Sequence, residues 1–294
     1  MTNKKVAIMI HTFNRAEFLK NAITKSLEQT YPCEIIVCDH GSTDNTPQMM
    51  EQYKDKVTYI RREKDFGPHF CWLEGVLSAD AEFIHIQYDD DWIEKDFIEK
   101  TVALMQDDVG FAFSETMIFS QETQEKRLCF NLEEQCFKSG IQCNKKLKKK
   151  LLDGLMISPG ACLFRKKDLV DALYQGNLPI LENEYYHGVG PDHFISLLCF
   201  LRYNRVGIIT EPLAVFREHE TSITTSANAN SDKTIKMSHA YEAVRVYYRL
   251  LEFFKKNKIL QLILNKKQVM KKFSWTFKTF LKKIGLRKKE VKPV

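Results

Sequence analysis

The chain has 294 residues, is 44% hydrophobic and 28% charged, and carries a formal net charge of +6, an ordinary composition for a soluble globular protein able to bury a full core. No stretch approaches the ~18 apolar residues of a membrane span, and the short VAIMI run passes straight into polar HTFNR, unlike a signal peptide. Eight cysteines without a Cys-x-x-Cys pair exclude an evident zinc site and favour a reducing cytoplasm over a disulfide framework.

In chain order, VAIMI (6–10) predicts a short buried strand, and Phe18, Leu19, Ala22, Ile23 and Leu27 follow at helical spacing. EIIVC (34–38) predicts a second strand, ended by the turn-rich HGSTDNTP. VTYI (57–60), a helix near 69–78 and EFIHIQY (82–88) continue the alternation. Such alternation predicts an α/β fold, a mostly parallel sheet with helices on both faces. From 114 to 150 the pattern loosens into polar sequence ending in NKKLKKK, which reads as an exposed excursion. ISPGACLFRKKDL (157–169) restores a strand and a helix start, PDHFISLLCFL reads as a charged turn entering a buried helix, and VGIITEPLAVFREH (206–219) reads as two short strands. A polar linker is expected at 226–237 and helix from 238 onward.

In parallel sheets ligands bind beyond the carboxyl ends of the strands. Three polar clusters fall there: His11 to Arg15, Asp39 to Asp44, and Asp89, Asp90 and Asp91. Adjacent carboxylates raise one another's pKa unless a cation neutralises them, so the three aspartates suit Mg²⁺ or Mn²⁺; alternatively they cap a helix beginning near Trp92 or Ile93. A carboxylate at Asp39 can accept hydrogen bonds from a base or ribose and Gly41 allows close backbone approach, but the same residues also make a plain turn.

The stretch VAIMIHTFNRAEFLKNAITKSLEQTYPCEIIVCDHGSTDNT resembles the opening of the family 2 glycosyltransferases: a strand, Thr-Tyr/Phe-Asn-Arg, a helix, Gln-x-Tyr, a strand, then Asp-x-Gly-Ser-x-Asp-x-Thr. DFGPHFCWLEGVLSADAEFIHIQYDDDW, GACLFRKKDL, PDHF and FREHETSIT resemble later landmarks, so the likeness covers about 1–225. It implies the glycosyltransferase A (GT-A) fold and sugar transfer from a nucleoside diphosphate donor, most simply UDP. A catalytic domain at 1–225 would have a nucleotide-sugar half at about 1–113 and an acceptor half at about 114–225, followed by a linker and basic helical tail at 226–294. Thr12 and Asp39 would hold the base, with Phe13, Asn14, Arg15 and Gly41 nearby and Asp44 supporting the loop. Asp89 and Asp90 would reach the ribose and diphosphate through a divalent metal, Mn²⁺ or Mg²⁺, with Asp91 and His219 as further ligands. Arg217 and His219 would close over the diphosphate, and Asp192 would be the general base, unless it simply caps its helix.

The sequence also departs from that pattern. His11 replaces the usual Pro before Thr12, Leu73 stands where Asn is frequent, Tyr88 occupies the place of the first Asp in the commoner Asp-x-Asp-Asp form, and Pro191 precedes Asp192 where Glu is frequent. Residues 251–294 hold fourteen Lys or Arg against Glu252 and Glu290, leaving 1–250 with thirty basic and thirty-six acidic residues, a balance of −6. Met270, Phe273, Phe277, Phe280, Leu281 and Ile284 share a helical face largely opposite lysines, which favours a helix on an anionic membrane surface over docking on the catalytic domain with a solvated lysine face or nonspecific attraction to nucleic acid. The expected partners are therefore a nucleotide sugar, a glycan or lipid-linked acceptor and the inner membrane face, with nucleic acid not expected. Two rivals are a sugar-1-phosphate nucleotidyltransferase, whose Gly-rich N-terminal loop is absent, and a noncatalytic nucleotide-sugar-binding protein.

Overall fold

The strand Val6–Thr12 (β1) is buried along its whole length, so apolar groups must cover both faces of the sheet that contains it. In this computed structural model, which describes residues 4–180, 189–219 and 231–257, helices supply that cover. After β1 come α1 (Ala16–Leu27), β2 (Glu34–Asp39), α2 (Thr46–Met50), β3 (Thr58–Arg61), α3 (Pro68–Ser78), β4 (Phe83–Tyr88), β5 (Trp92–Ile93), α4 (Phe97–Leu104) and β6 (Val109–Ser120). Then follow β7 (Lys126–Leu128), β8 (Gly140–Cys143), α5 (Lys145–Leu152), β9 (Cys162–Arg165), α6 (Lys166–Ala172), α7 (Pro191–Arg202), β10 (Arg205–Glu218) and α8 (Ser231–Lys256).

The described strands form one ten-stranded sheet in the order β3-β2-β1-β4-β9-β6-β10-β5, with β7 on β6 and β8 on β10. β3, β2, β1 and β4 are parallel; β9 runs against β4 and β6, and β10 runs with β6, so β1, β2, β4 and β10 all finish at the same edge. Register places Thr12 opposite Asp39 and His11 opposite Tyr88, so the loops after β1, β2 and β4 leave at nearly one level. Ile8, Ile10, Leu19, Ile23, Val37, Phe83, Phe97 and Leu163 form part of the core beneath. Burying each such side chain contributes roughly 1.5–3 kcal/mol.

Several elements differ from the sequence expectation. Trp92 and Ile93 do not open a helix: they pair antiparallel with Val215 and Ala214, and the helix starts at Phe97, so Asp89, Asp90 and Asp91 cap nothing. Two residues of cross-strand pairing outweigh a local helical pattern. Residues 206–219 lie mostly in one strand rather than two, with register shifts around Pro212, which lacks the N–H a regular ladder needs. The supposed excursion at 114–150 instead supplies the second half of β6, β7, β8 and α5, whose Leu147 and Leu151 are buried. Buried Glu115 anchors it, accepting from the amides of Thr116, Phe130 and Leu132 at 2.7, 3.0 and 2.7 Å. Residues 231–237, expected as linker, begin α8.

The expected domain limit at 225 and the tail face from Met270 to Ile284 lie outside the described residues. Two compact units, Met1–Tyr248 and Arg249–Val294, divide the chain. Among the described residues no helix is long and apolar enough to cross a membrane. All eight cysteines are free.

Candidate active site

The level ends of β1 and β2 press the two following loops together. Asn14 adopts a left-handed conformation, φ 55, which Asn tolerates better than most residues. Its N–H donates to Ser42 Oγ at 2.8 Å, while its Oδ1 accepts from the amides of Thr43 at 2.7 Å and Asp44 at 3.3 Å. Asp44 accepts in turn from the amides of Ala16 at 3.3 Å and Thr46 at 3.0 Å, the first residues of α1 and α2. Burial opposes ionisation of Asp44, but bonds from Thr46 and Ala16 outweigh it and hold the carboxyl below its usual value.

Asp39 is buried and occupied. Its Oδ1 accepts from the amides of Gly41 at 3.1 Å and Ser42 at 2.7 Å, and its Oδ2 accepts from the Tyr59 hydroxyl at 2.6 Å with Arg61 Nε 3.6 Å away. That wrap around the carboxylate requires Gly41 at φ +106, a region L side chains rarely adopt. Above it the Phe13 ring, 36% exposed, stacks on His40 at 4.9 Å and 22°. His40 Nδ1 lies 2.7 Å from Asp65 Oδ1. A flat ring pair at the mouth of this loop suits the face of a nucleobase.

At the end of β4 the three aspartates have three different surroundings. Asp89 accepts from Thr12 Oγ1 at 2.8 Å and from Arg15 Nη1 at 3.2 Å. Asp90 Oδ2 accepts from Arg15 Nη1 at 2.8 Å and lies 3.1 Å from His219 Nε2. Asp91 turns instead to β10, where its Oδ1 accepts from the Arg217 amide at 2.8 Å. The Arg217 side chain donates from Nε to the Asp90 carbonyl at 3.0 Å, its guanidinium 5.2 Å from the Phe18 ring and 5.1 Å from that of Trp92. Phe18 also packs on His219 at 4.8 Å.

These contacts set the charge balance. Burial, then the charge of Asp90, pushes Asp89 up to about 7, although Arg15 and Thr12 work the other way. Burial and Asp90 likewise raise Asp91, against the Arg217 amide. Burial disfavours the Arg15 cation, yet Asp89 and Asp90 raise its pKa overall, whereas burial lowers that of Arg217. The raised Asp89 and Asp91 show three carboxylates crowded beyond what the two guanidiniums offset, a repulsion that a divalent cation would relieve. Asp90 and His219 bring a carboxylate oxygen and an imidazole nitrogen to one point, donors that suit Mn²⁺. Among the described residues no group of three or more His, Cys, Asp or Glu is placed to hold a metal, so this pair would leave coordination positions to water and phosphate oxygens.

Asp192 sits in the first turn of α7, one residue after Pro191. The N-cap is Gly190, whose amide donates to Asp192 Oδ1 at 2.8 Å. Its Oδ2 accepts from Tyr241 Oη at 2.9 Å. Burial raises Asp192 above the usual carboxylate value, and the bonds from Tyr241, Gly190 and His193 act against that rise. The buried Tyr88 phenol is raised first by burial and then by the charge of Asp192, with the Ser158 bond acting against and Asp91 and Asp90 adding to the rise. The Tyr88 ring packs edge-on to His11 at 5.0 Å and Trp72 at 5.7 Å.

Of the residues singled out in the sequence, Thr12, Arg15, Asp89, Asp90, Arg217 and His219 share one cluster, and Phe13, Asn14, Asp39, Gly41 and Asp44 share the adjoining loops. Asp91 belongs to the first group through Arg217 rather than through His219. Thr12 and Asp39, expected to hold the base, are each 1% exposed and engaged with Asp89 and Tyr59. Phe18, Tyr59 and Trp92 read in the sequence only as parts of secondary-structure elements, and Tyr241 carries no signal for the site. The first three carry no polar motif, and Tyr241 reaches Asp192 from a position 49 residues away in the chain.

A family model described as Glycosyl transferase family 2 matches residues 7–173, so Asp192, Arg217 and His219 lie beyond it. The chain is similar to a chondroitin synthase of Pasteurella multocida, 32% identical over 90 residues, covering 29% of this chain and 9% of that protein. Across eight curated relatives it matches, the aligned stretch spans between 9% and 51% of their own length. Residues 1–349 of S. aureus TarS in complex with UDP-GlcNAc are similar in structure, with TM-score 0.60, 17% identity, and coverage of 89% of this chain and 76% of that one. The mannosyltransferase PcManGT of Pyrobaculum calidifontis, in complex with GDP-Man and Mn²⁺, gives TM-score 0.52 at 15% identity over 92% of this chain and 81% of its own. These likenesses establish the GT-A fold, and with the motifs in order along β1, β2 and β4 the chain belongs to glycosyl transferase family 2.

Proposed function

We propose that the protein is an inverting glycosyltransferase that moves a hexosyl or N-acetylhexosaminyl group from a UDP-sugar to a hydroxyl of a glycan or lipid-linked acceptor during surface polysaccharide assembly. The observation that carries this reading is the convergence of Arg15, Asp89, Asp90, Arg217 and His219 at the ends of β1, β4 and β10, with the buried Tyr88 beside them feeling the charge of Asp192 as well as of Asp90 and Asp91. UDP is favoured because TarS, alike in fold, was solved with UDP-GlcNAc, and polysaccharide assembly because the relatives include a chondroitin synthase.

In this reading the base lies on Phe13 and His40, in the loop braced by Asn14, Gly41 and Asp44, with Asp39 and Thr12 supporting that loop from below. Asp90 and His219 would hold Mn²⁺ or Mg²⁺, which when bound stabilises the charge that grows on the leaving diphosphate. Arg217, fixed between Phe18 and Trp92, adds a fixed positive charge on the same side. Asp192 accepts the proton of the acceptor hydroxyl while its oxygen bonds to the anomeric carbon. The carbon–oxygen bond to the diphosphate breaks, its electron pair leaves on UDP, and attack from the opposite face inverts the centre. The basic segment 251–294 would hold the enzyme on the anionic inner face of the cell membrane.

The test is a panel of nucleotide sugars and glycan acceptors with Mn²⁺ or Mg²⁺, following nucleoside diphosphate release with and without EDTA. One donor should turn over in a metal-dependent way, and Asp192→Asn should lower the rate by about 10²–10⁴-fold while UDP binding persists. Wild-type turnover in Asp192→Asn would remove Asp192 from the mechanism. UDP binding without turnover of any donor and acceptor pair would favour the noncatalytic reading.

A further inference from the structure

Residues 231–248 of α8 lie beyond both the family match and the motifs of the catalytic sheet, yet one of their side chains touches the reacting carboxylate. Ala240, Ala243, Val244 and Tyr248 are buried, and a Cβ built on Gly190 would come within 3.5 Å of Val244 Cγ2, so this stretch of α8 packs at the start of α7. Tyr241 lies on that stretch. Its hydroxyl donates to Asp192 Oδ2 at 2.9 Å, and its ring meets that of His193 edge-on at 5.9 Å and 82°.

We infer that Tyr241 is a positioning residue for Asp192, fixing the carboxylate for the acceptor hydroxyl and favouring its charged form through the donated hydrogen bond, so that α8 is part of the catalytic apparatus. The inference rests on the reading of Asp192 as general base. A carboxylate on a short side chain turns about its terminal torsion unless both oxygens are held. Here the Gly190 amide holds Oδ1 from the N-cap of α7 and Tyr241 holds Oδ2 from another helix, which fixes the plane of the carboxylate. A donor to the charged form also favours that form, and burial works against it.

The other groups facing this point do not supply the same effect. His193, next on α7, is lowered by burial to about 3 and is neutral at ordinary pH, with Arg245 and Glu242 of α8 acting on it in opposite senses. Tyr88 from β4 carries a buried phenol that bonds with Ser158. Tyr241 thus provides the hydroxyl bond to Asp192, and a phenylalanine would keep its ring packing while removing that bond.

The experiment compares wild type, Tyr241→Phe and Asp192→Asn by three readings: thermal midpoint, affinity for UDP with Mn²⁺, and the pH profile of kcat/KM for the acceptor. The Asp192 carboxyl is also titrated by ¹³C NMR, assigned through its absence in Asp192→Asn, which needs no turnover. Tyr241→Phe should bind UDP as wild type does, lose about tenfold or more in kcat but less than the loss of the base itself, and show the acid limb and the Asp192 titration displaced to higher pH. The rate deficit should then shrink as pH rises. An unchanged titration and profile in a folded Tyr241→Phe, whatever its thermal midpoint, would overturn the inference and reduce the contact to a staple between helices. Turnover retained in Asp192→Asn would overturn the reading of the base instead, while the NMR titration still reports whether Tyr241 favours the charged form of Asp192.

Discussion

Gly190 combines two requirements that no other residue meets at once. Its φ of +118 lies where side chains are rarely tolerated, and a Cβ there would run into the Tyr174 hydroxyl. The same backbone points its N–H at Asp192 Oδ1 and caps α7. Gly190→Ala must therefore either hold a strained backbone or swing the helix start away, and we expect a loss of about 1–3 kcal/mol in stability by denaturant unfolding. Because Asp192 would move with the helix start, turnover should fall by more than UDP affinity does. A variant as stable as wild type, with wild-type kcat, would show that the cap is not under this constraint. Elsewhere at residue scale, His11 and Tyr88 are two departures from the family pattern that face each other in register and pack ring to ring. The second bulky ring fits where the first replaces a proline.

At the scale of elements, β10 is what ties the late part of the chain to the early motifs. It enters beside β6, pairs with Trp92 and Ile93, and near its end brings Arg217, and just past it His219, against the aspartates, while Glu218 between them pairs with Arg127. Asp91 belongs to this joint, since its carboxylate receives the Arg217 amide, whereas Asp90 faces Arg15 and His219. Asparagine at 91 retains an oxygen that can accept the same amide, so Asp91→Asn should leave Mn²⁺ affinity within about threefold of wild type. Asp90→Asn removes the charge of the proposed ligand and should weaken Mn²⁺ binding by about tenfold or more, read by electron paramagnetic resonance in the presence of UDP. Equal losses in the two variants would place both carboxylates on the metal. The elements the sequence reveals are those with local signals: buried apolar runs at β1, β2 and β4, and turn residues between them. What it hides depends on partners distant in the chain. Trp92 and Ile93 are strand only because Ala214 and Val215 lie beside them. Ser114, Glu115 and Thr116 look like loop residues, yet Glu115 buries its charge by collecting amides from Phe130 and Leu132. The site follows the same division: Asp39, Asp89 and Asp90 announce themselves by strand-end position, while Tyr59 and Tyr241 are known only by what they touch.

For the molecule as a whole, the candidate donor-binding groups from Thr12 to Asp91, with Arg217 and His219, occupy one edge of the sheet, and the loops there are braced by one another rather than by the core alone. Asn14 binds the loop after β2, Arg15 binds the end of β4, and Arg217 binds β10 to both Asp90 and Asp91. A ligand that joins Arg15, Asp90 and His219 therefore bridges segments widely spaced in the chain and should stabilise the fold by mass action. At a hundredfold excess over its dissociation constant the gain is about 2.7 kcal/mol, which for a domain of this size raises the thermal midpoint by about 5–11 °C. UDP with Mn²⁺ should produce such a shift in wild type, and UDP with EDTA a smaller one, because the crowded carboxylates then meet the diphosphate with no cation between them. His219→Ala should narrow the gap between the two conditions while keeping the metal-free shift, since the Phe13 and His40 rings that would meet the base remain. An identical shift with and without EDTA in wild type would mean that Arg15 and Arg217 alone receive the diphosphate, and the metal would then have no place in donor binding.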